Sequence, residues 1–104
     1  MTNTQAATRS AGQPVTYRMI LFLAGEEPNS RMARANLASL CEEDLAGRCD
    51  VEIVDVLEDY AAATEHSILV TPTLLVLEPG PAVTVVGNLS DRQRVRTALR
   101  LPRE

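Results

Sequence analysis

The segment VTYRMILFL, residues 15–23, is rich in β-forming residues and apolar almost throughout. A half-buried strand alternates apolar and polar residues, whereas a nearly continuous apolar run is typical of a central strand covered on both faces. The run ends at Ala24 and Gly25, and the turn cluster GEEPNS follows. The stretch therefore predicts a strand in the middle of an α/β sheet.

A helix and a second strand follow the turn. Asn29 or Ser30 can cap the helix, and Gly47 marks its end. The apolar residues of this helix recur at helical spacing and share one stripe: Ala33, Leu37, Leu40, Cys41 and Leu45. VEIVDV, residues 51–56, predicts the second strand. A strand, a helix and a strand in this order require a parallel pair with a right-handed crossover.

The next segments predict a short helix and a hairpin. Residues 58–67 are alanine-rich and polar, as in a short surface helix. TLLVLE at residues 73–78 and AVTVV at residues 82–86 read as strands, and the prolines between them indicate an antiparallel hairpin.

A capping box, with Ser90 at the N-cap and Gln93 three residues later, opens a last helix that runs to Pro102. The element order is therefore β-α-β-α-β-β-α. This order matches a thioredoxin-like α/β fold, a four-stranded mixed sheet of strand order 2-1-3-4 with helices on both faces. Two other α/β topologies with the same order stay open.

Length and patterning predict a single domain. A chain of 104 residues buries enough surface for one core without metal or disulfide support. Residues 1–14 lack apolar periodicity and are predicted to be a disordered tail, which leaves residues 15–104 as the domain. No apolar run approaches the length of a membrane span, and no signal-peptide core is present, so we expect a cytoplasmic protein.

The composition and the charge of the chain argue against a nucleic-acid partner. The chain carries 10 Lys+Arg, all of them arginine, against 14 Asp+Glu, for a net charge of −4. Residues 17–80 hold 4 Arg and 12 acids (−8), and residues 81–104 hold 5 Arg and 2 acids (+3). Few aromatic residues and a net negative charge argue against nucleic-acid binding.

A thioredoxin-like sheet raises the hypothesis of a thiol oxidoreductase. That chemistry needs a low-pKa thiolate at the start of the first helix, usually in C-x-x-C, and here the position reads GEEPNS. Cys41 lies on the apolar stripe and is predicted to be a small buried hydrophobe, and Cys49 to be an inert loop thiol. A bridge between them would be unusual in a reducing cytoplasm.

Other catalytic signals are weak. The acidic groups at residues 26–27 and 42–44 have no histidine or cysteine at ligand spacing, and solvated charge is the simpler interpretation. His66 is the only histidine, and the glycines are isolated rather than gathered in a phosphate-binding loop. We therefore expect no enzyme activity, no metal and no cofactor.

The last helix is predicted to carry a basic ridge. Four arginines fall in one sector beside the apolar stripe of that helix: Arg92, Arg96, Arg100 and Arg103. The ridge is either a solvated face or a docking surface for an acidic partner.

Three stretches together resemble the KaiB family of bacterial clock and clock-like proteins. They are FLAGEEPNS at residues 22–30, VDVLEDYAAATEHSILVTPTLLV at residues 54–76 and VVGNLSDRQRV at residues 85–95. Their order, their spacing and the lack of C-x-x-C make the combination specific, and the resemblance covers about residues 17–101.

The resemblance implies a non-enzymatic binding protein. Family members dock on the hexameric ATPase KaiC, and in the clock they sequester KaiA and compete with a thioredoxin-like sensor-kinase domain. They adopt two folds: a thioredoxin-like form that binds partners, and a tetramer with a different arrangement of the second half. The resemblance also implies a cis Thr71-Pro72 bond in the thioredoxin-like form, which makes Pro72 a candidate fold-determining residue.

Two further candidates for fold determination depart from the clock members. This chain has Ala98 and Arg100 where those members commonly place Gly and Asp in the last helix. Gly to Ala gains about 1 kcal/mol within a helix, and Arg in place of an acid in the last turn adds roughly 0.3–1 kcal/mol. We therefore expect a continuous last helix, a resting thioredoxin-like state, and a monomer or weak dimer rather than a tetramer.

A second departure concerns binding. The resemblance implies that clock members have small and basic residues near the second strand and use them in docking on KaiC. At this place the present chain has Asp50 and Glu52. Charge reversal weakens attachment to a surface that is tuned for a basic residue, so the partner is a divergent KaiC-like ATPase or another protein. Asp50, Glu52, Arg92, Arg96 and Arg100 are the predicted partner contacts. A stand-alone relative of a sensor-kinase input domain and, more distantly, a thiol oxidoreductase are the alternatives.

Overall fold

Four strands and three helices follow one another in the part of the chain that the computed structural model describes, residues 15–101. They are β1 (Tyr17–Leu23), α1 (Pro28–Glu43), β2 (Cys49–Asp55), α2 (Tyr60–Glu65), β3 (Thr73–Glu78), β4 (Val83–Val86) and α3 (Arg92–Ala98). The tail predicted at residues 1–14 and the last three residues, with Arg103, lie outside the described residues.

The sheet has the predicted strand order, β2-β1-β3-β4. β1 pairs in parallel with β2 and antiparallel with β3, and β3 pairs antiparallel with β4. The register between β1 and β3 shifts between Arg18 and Met19, which marks an irregularity at the start of the central strand. The thioredoxin-like α/β arrangement is therefore confirmed, and β2 and β4 form the two edges.

β1 is buried on both sides because consecutive strand residues point to opposite faces. Leu21 and Phe22 are both 0% exposed. Leu21 belongs to the larger core cluster, which joins the sheet to α1 and α3 through residues such as Leu37 and Val95. Phe22 belongs to a smaller cluster on the other face, against which Ala62 of α2 packs. The helices thus cover both faces, as predicted.

The start of α1 differs in detail from the prediction. Glu27 is the N-cap, its side chain accepts a hydrogen bond from the Ser30 backbone N–H, and Pro28 occupies the first turn. Proline suits this position because its fixed φ is helical and it lacks an N–H that would stay unbonded. Ser30 is instead buried, and its Oγ accepts a hydrogen bond from the Ala24 N–H at 3.0 Å. The prediction of Asn29 or Ser30 as the cap is therefore wrong.

The end of α1 is a turn rather than a simple glycine stop. The helix ends at Glu43 with Asp44 as the C-cap, before the predicted stop at Gly47. The chain then reverses through Ala46 and Gly47, whose φ angles are 52° and 79°. The reversal brings the chain directly into β2, which begins at Cys49 and not at Val51.

The second half follows the predicted order with shifted boundaries. α2 is capped by Asp59, whose side chain accepts a hydrogen bond from the Ala62 N–H. β3 has the predicted bounds, and β4 starts one residue later than predicted. The Thr71-Pro72 bond is cis, which confirms what the family resemblance implied, and Glu78-Pro79 and Gly80-Pro81 are cis as well.

α3 differs from the prediction at both ends. Its N-cap is Asp91 rather than Ser90, and the Asp91 side chain accepts a hydrogen bond from the Arg94 N–H. The helix ends at Ala98, and Leu99 is the C-cap. The predicted continuous helix to Pro102 is wrong, because Arg100 has a φ of 61° and leaves the helix.

Arg100 occupies the left-handed position of a Schellman motif, a hydrogen-bonded reversal that ends helices. The Leu101 N–H donates to the Arg96 carbonyl at 2.9 Å, and the Arg100 N–H donates to the Thr97 carbonyl at 3.0 Å. The reversal places Leu101 against the main core cluster. Apolar burial of Leu101 therefore accompanies the chain reversal, and the helix-dipole argument made for Arg100 does not apply.

Replacement of Arg100 tests the cost of its left-handed backbone. Its side chain donates to the Gly80 carbonyl at 2.6 Å, and both Arg100→Gly and Arg100→Ala remove that contact. Only glycine adopts a positive φ freely. We expect Arg100→Gly to be about 1 kcal/mol more stable than Arg100→Ala in urea unfolding. An equal or lower stability of Arg100→Gly would contradict a left-handed residue at this position.

Candidate docking site at the open sheet edge

β2 is an edge strand with one free side. It pairs with β1 along its whole length, and no other strand among residues 15–101 pairs with its outer side. An edge of this kind presents backbone N–H and C=O groups that a strand of another protein can bind. The edge is therefore a candidate protein-docking site.

The acidic residues Asp50 and Glu52 lie on one face of β2. Glu52 is level with Ile20 in the parallel register, and Ile20 packs in the cluster on the α2 side of the sheet. Both carboxylates are exposed. Alternation along the strand places them on the same face as Val54. The structure thus brings the two predicted acidic contacts together on one strand.

Arg18 moderates the charge of Asp50. Its Nε lies 3.7 Å from Asp50 Oδ2, and its Nη1 lies 3.5 Å from Glu78 Oε2 across the sheet. All three side chains are about half exposed or more, so each pair stabilises the fold by at most about 1 kcal/mol. Among the described residues Glu52 forms no such ion pair, and it is the less neutralised carboxylate of the edge.

The opposite face of β2 is apolar and borders a groove. The groove has a volume of about 650 Å³ and separates β2 from α1. Its lining is mostly apolar or small, with one arginine and one glutamate: Arg34, Leu37, Ala38, Ser39, Cys41, Glu42, Gly47, Cys49, Val51 and Ile53. Ile53 is 39% exposed, a high value for a large apolar side chain. The edge therefore combines an acidic face with an apolar groove.

Cys41 and Cys49 form a disulfide at this groove, with their Cα atoms 6.1 Å apart. The prediction of two unpaired, inert thiols is therefore wrong. Cys41 lies in the last turn of α1, and Cys49 is the first residue of β2 rather than a loop residue. The tight reversal between the two elements brings the side chains together. The eight-residue spacing did not predict the pairing, because it leaves open how the turn between the helix and the strand closes.

The arginines of α3 do not form the predicted exposed ridge. Arg96 Nη1 lies 3.0 Å from Asp44 Oδ2, and the two side chains are only 11% and 10% exposed. Arg92 joins the same carboxylate at 3.3 Å and reaches Glu43 Oε1 at 3.2 Å. These ion pairs hold α3 against the end of α1. Arg96 is thus a nearly buried residue of the fold.

Arg100 lies elsewhere, because the chain reversal carries it off the helix. Its guanidinium donates to the Gly80 carbonyl in the turn of the β3–β4 hairpin, and the residue is exposed. The predicted contacts therefore occupy separate places: Asp50 and Glu52 on the β2 edge, Arg92 and Arg96 between α3 and α1, and Arg100 at the hairpin turn.

In the described part of the chain, the residues considered for catalysis or metal binding do not lie together in one site. Within residues 15–101, no group of three or more His, Cys, Asp and Glu side chains is placed to hold a metal ion. His66 lies against Phe22, with ring centroids 5.7 Å apart. At the start of α1, Glu27 and Ser30 are hydrogen-bonded to each other and to the backbone.

No helix among the described residues is long and apolar enough to cross a membrane.

The sequence of residues 20–101 matches the family described as the KaiB domain. The circadian clock oscillator protein KaiB of Prochlorococcus marinus is 40% identical over 86 residues, which are 83% of this chain and 74% of that protein. The circadian clock protein KaiB3 of Synechocystis is 39% identical over 79 residues, which are 76% of this chain and 78% of that protein.

Solved structures support the fold. Fasciola hepatica thioredoxin superposes with a TM-score of 0.67 at 20% sequence identity, covering 86% of this chain and 84% of that one. Chloroplastic thioredoxin z superposes with a TM-score of 0.68 at 21% identity, covering 96% of this chain and 89% of that one. At such low identity these likenesses show a shared fold and nothing about activity.

Removal of the Arg96 charge tests the ion pairs between α3 and α1. Breaking a buried pair from one side costs about 3–5 kcal/mol, and Arg92 still faces Asp44, so we expect Arg96→Met to lower the free energy of unfolding by about 2–3 kcal/mol. The matched control is Arg18→Met, which removes two exposed ion pairs, with Asp50 and Glu78, and should cost only about 1 kcal/mol. Equal losses in urea unfolding would contradict a structural role specific to Arg96.

Proposed function

The chain belongs to the KaiB family, and from this we propose that it is a non-enzymatic regulatory protein that acts by docking on a KaiC-like ATPase. The observation that carries the proposal is the open β2 edge, which presents unpaired backbone groups between an acidic face and an apolar groove. These are the elements of a protein interface: a strand edge for backbone pairing, apolar area for burial and charge for orientation.

Charge on the edge specifies the kind of partner surface. Asp50 and Glu52 favour a partner with Lys or Arg opposite β2, and they disfavour a partner that presents acids there. Glu52 is the stronger determinant, because Arg18 already lies beside Asp50. We therefore expect this chain to select a divergent KaiC-like ATPase whose facing surface is basic.

The three predicted arginine contacts differ in how far a partner can reach their side chains. Arg92 exposes 38% of its side chain and Arg100 is exposed, so a partner can reach both guanidinium groups. Arg96 contributes by holding α3 in place, since only 11% of its side chain meets solvent. An acidic surface on a second partner, a KaiA-like protein or a sensor kinase, would meet Arg100 at the hairpin turn.

We further propose that the thioredoxin-like state is the resting state. Ion pairs between α3 and α1, and the burial of Leu99 and Leu101 behind them, stabilise the arrangement of the second half. Ala98 supports it by being helical where glycine would weaken the helix. A monomer or weak dimer follows from this proposal, and a tetramer would accompany the other family fold. We also propose that the protein is cytoplasmic.

Two alternatives remain. A stand-alone relative of a sensor-kinase input domain would use the same edge but bind a signalling kinase instead of a KaiC-like ATPase. A thiol oxidoreductase would turn over disulfide substrates, although its cysteines lie at the end of α1 and the start of β2, away from the first helical turn where that chemistry is usually built. Titration with each partner class separates these functions.

Charge reversal at the edge tests the docking site. We expect Glu52→Lys to weaken binding to the KaiC-like ATPase of the same organism by roughly tenfold, because it opposes a basic partner surface. The measurement is the dissociation constant by calorimetric titration at low and physiological salt. Glu26→Lys is the matched control, since Glu26 is an exposed acid in the turn after β1 and lies outside the β2 edge.

Two results would count against this proposal. If Glu52→Lys binds the KaiC-like ATPase with unchanged affinity, β2 is not part of the interface, although the ATPase is still the partner. Wild-type protein that binds none of the KaiC-like ATPases, but binds a sensor kinase, would instead support the stand-alone relative of a sensor-kinase input domain.

The resting state is tested on the free protein. We expect sedimentation of a monomer or weak dimer, together with helical NMR chemical shifts for α3 and strand shifts for β3 and β4. These elements define the thioredoxin-like second half. A tetramer with non-helical shifts over residues 92–98 would show that the other fold is the resting one.

A further inference from the structure

The disulfide closes the corner where α1 passes into β2. It joins the last turn of the helix to the first residue of the edge strand, with a sequence separation of 8. Within this short segment the chain turns through Ala46 and Gly47, both at positive φ. The cross-link therefore spans a segment whose backbone is already folded tightly on itself.

The same segment anchors two other elements. Asp44 holds α3 through its ion pairs with Arg96 and Arg92. The Arg48 carbonyl accepts a hydrogen bond from the Tyr17 N–H at the start of β1, and the Arg48 guanidinium donates to the Val15 carbonyl. A change in the freedom of this segment would therefore reach β1 and α3 as well as the strand edge.

Both sulfur-bearing residues are accessible. Cys41 and Cys49 are half-buried and line the open groove of about 650 Å³ between α1 and β2. This volume falls within the range of sites that admit small molecules. A low-molecular-weight thiol or disulfide can therefore approach without unfolding of the domain, and accessible disulfides are the ones that exchange most readily.

We propose that Cys41 and Cys49 are a reversible thiol–disulfide site whose closure locks the α1–β2 corner and, through Asp44, the docking of α3. The co-reactant is a small disulfide of the glutathione class. This inference concerns the free chain and stands whether or not the chain docks on a KaiC-like ATPase.

The exchange is balanced in two steps. One cysteine thiolate attacks the small disulfide, a protein–small-molecule disulfide forms, and the first small thiolate leaves and takes up a proton. The second cysteine thiolate then attacks the mixed disulfide, the Sγ–Sγ bond forms, and the second small thiolate leaves and is protonated. The two protein thiols lose two electrons and two protons, and one small disulfide becomes two thiols. Reduction reverses both steps.

The chemistry is tested by equilibrating the folded protein, without oxygen, in mixtures of reduced and oxidised glutathione. We expect one two-electron transition, in which free thiols fall from two to none and the intact mass falls by two hydrogens. Dithiol that persists in oxidised glutathione alone, or glutathione that stays on single cysteines, would overturn the proposal. A disulfide that dithiothreitol removes only after denaturation would do the same.

The structural consequence is tested by comparing oxidised and reduced protein. Opening a short cross-linked loop should lower Tm by roughly 10 °C, and the Cys41→Ser/Cys49→Ser double variant should behave like the reduced form whatever the glutathione ratio. Amide hydrogen exchange in α3 should be faster in the reduced form. Equal Tm values, or exchange that changes only at residues 41–49, would overturn the locking of the corner. Wild-type protein supplies this comparison even if the double variant folds poorly.

Discussion

Burial of β1 on both faces is the constraint on which the rest of the molecule depends. Leu21 and Phe22 are neighbours in sequence, point to opposite faces and are both fully buried, so each face of the sheet needs its own cover. α1 and α3 supply the thicker cover, and the short α2 supplies the thinner one. With β1 and β3 in the interior, β2 and β4 are left as edges, and only one of them borders the α1 groove.

The corner between α1 and β2 concentrates several kinds of interaction. The disulfide, the chain reversal and the Asp44 ion pairs all lie within residues 41–49 or attach to them. Each is short in range, yet together they connect α1, β2 and α3. Since the β2 edge and its groove start at this corner, the residues that hold the fold together also border the surface proposed for recognition.

Much of the architecture was predictable from local patterns. β3 has the predicted bounds because a proline precedes it and another follows it, and the order of all elements and the family resemblance agree with the fold. Caps were less predictable: Ser90 and Asp91 are adjacent, both can cap a helix, and the choice depends on backbone torsions that a sequence does not display. Arg100 was expected in the last turn of the helix, where its charge would favour the helix dipole, but packing of Leu101 against the core accompanies a chain reversal there instead.

The kinds of elements, their order, the central position of β1 and the family could all be predicted from the sequence, because apolar periodicity, turn residues and extended motifs are local properties of the chain. Three features became visible only in the folded chain: Cys41 meets Cys49, Asp44 meets Arg96, and the arginines of the last segment lie in different places. These contacts depend on how a turn is closed and on which helix faces which, and residues separated along the chain carry no sequence mark of the distance that folding leaves between them.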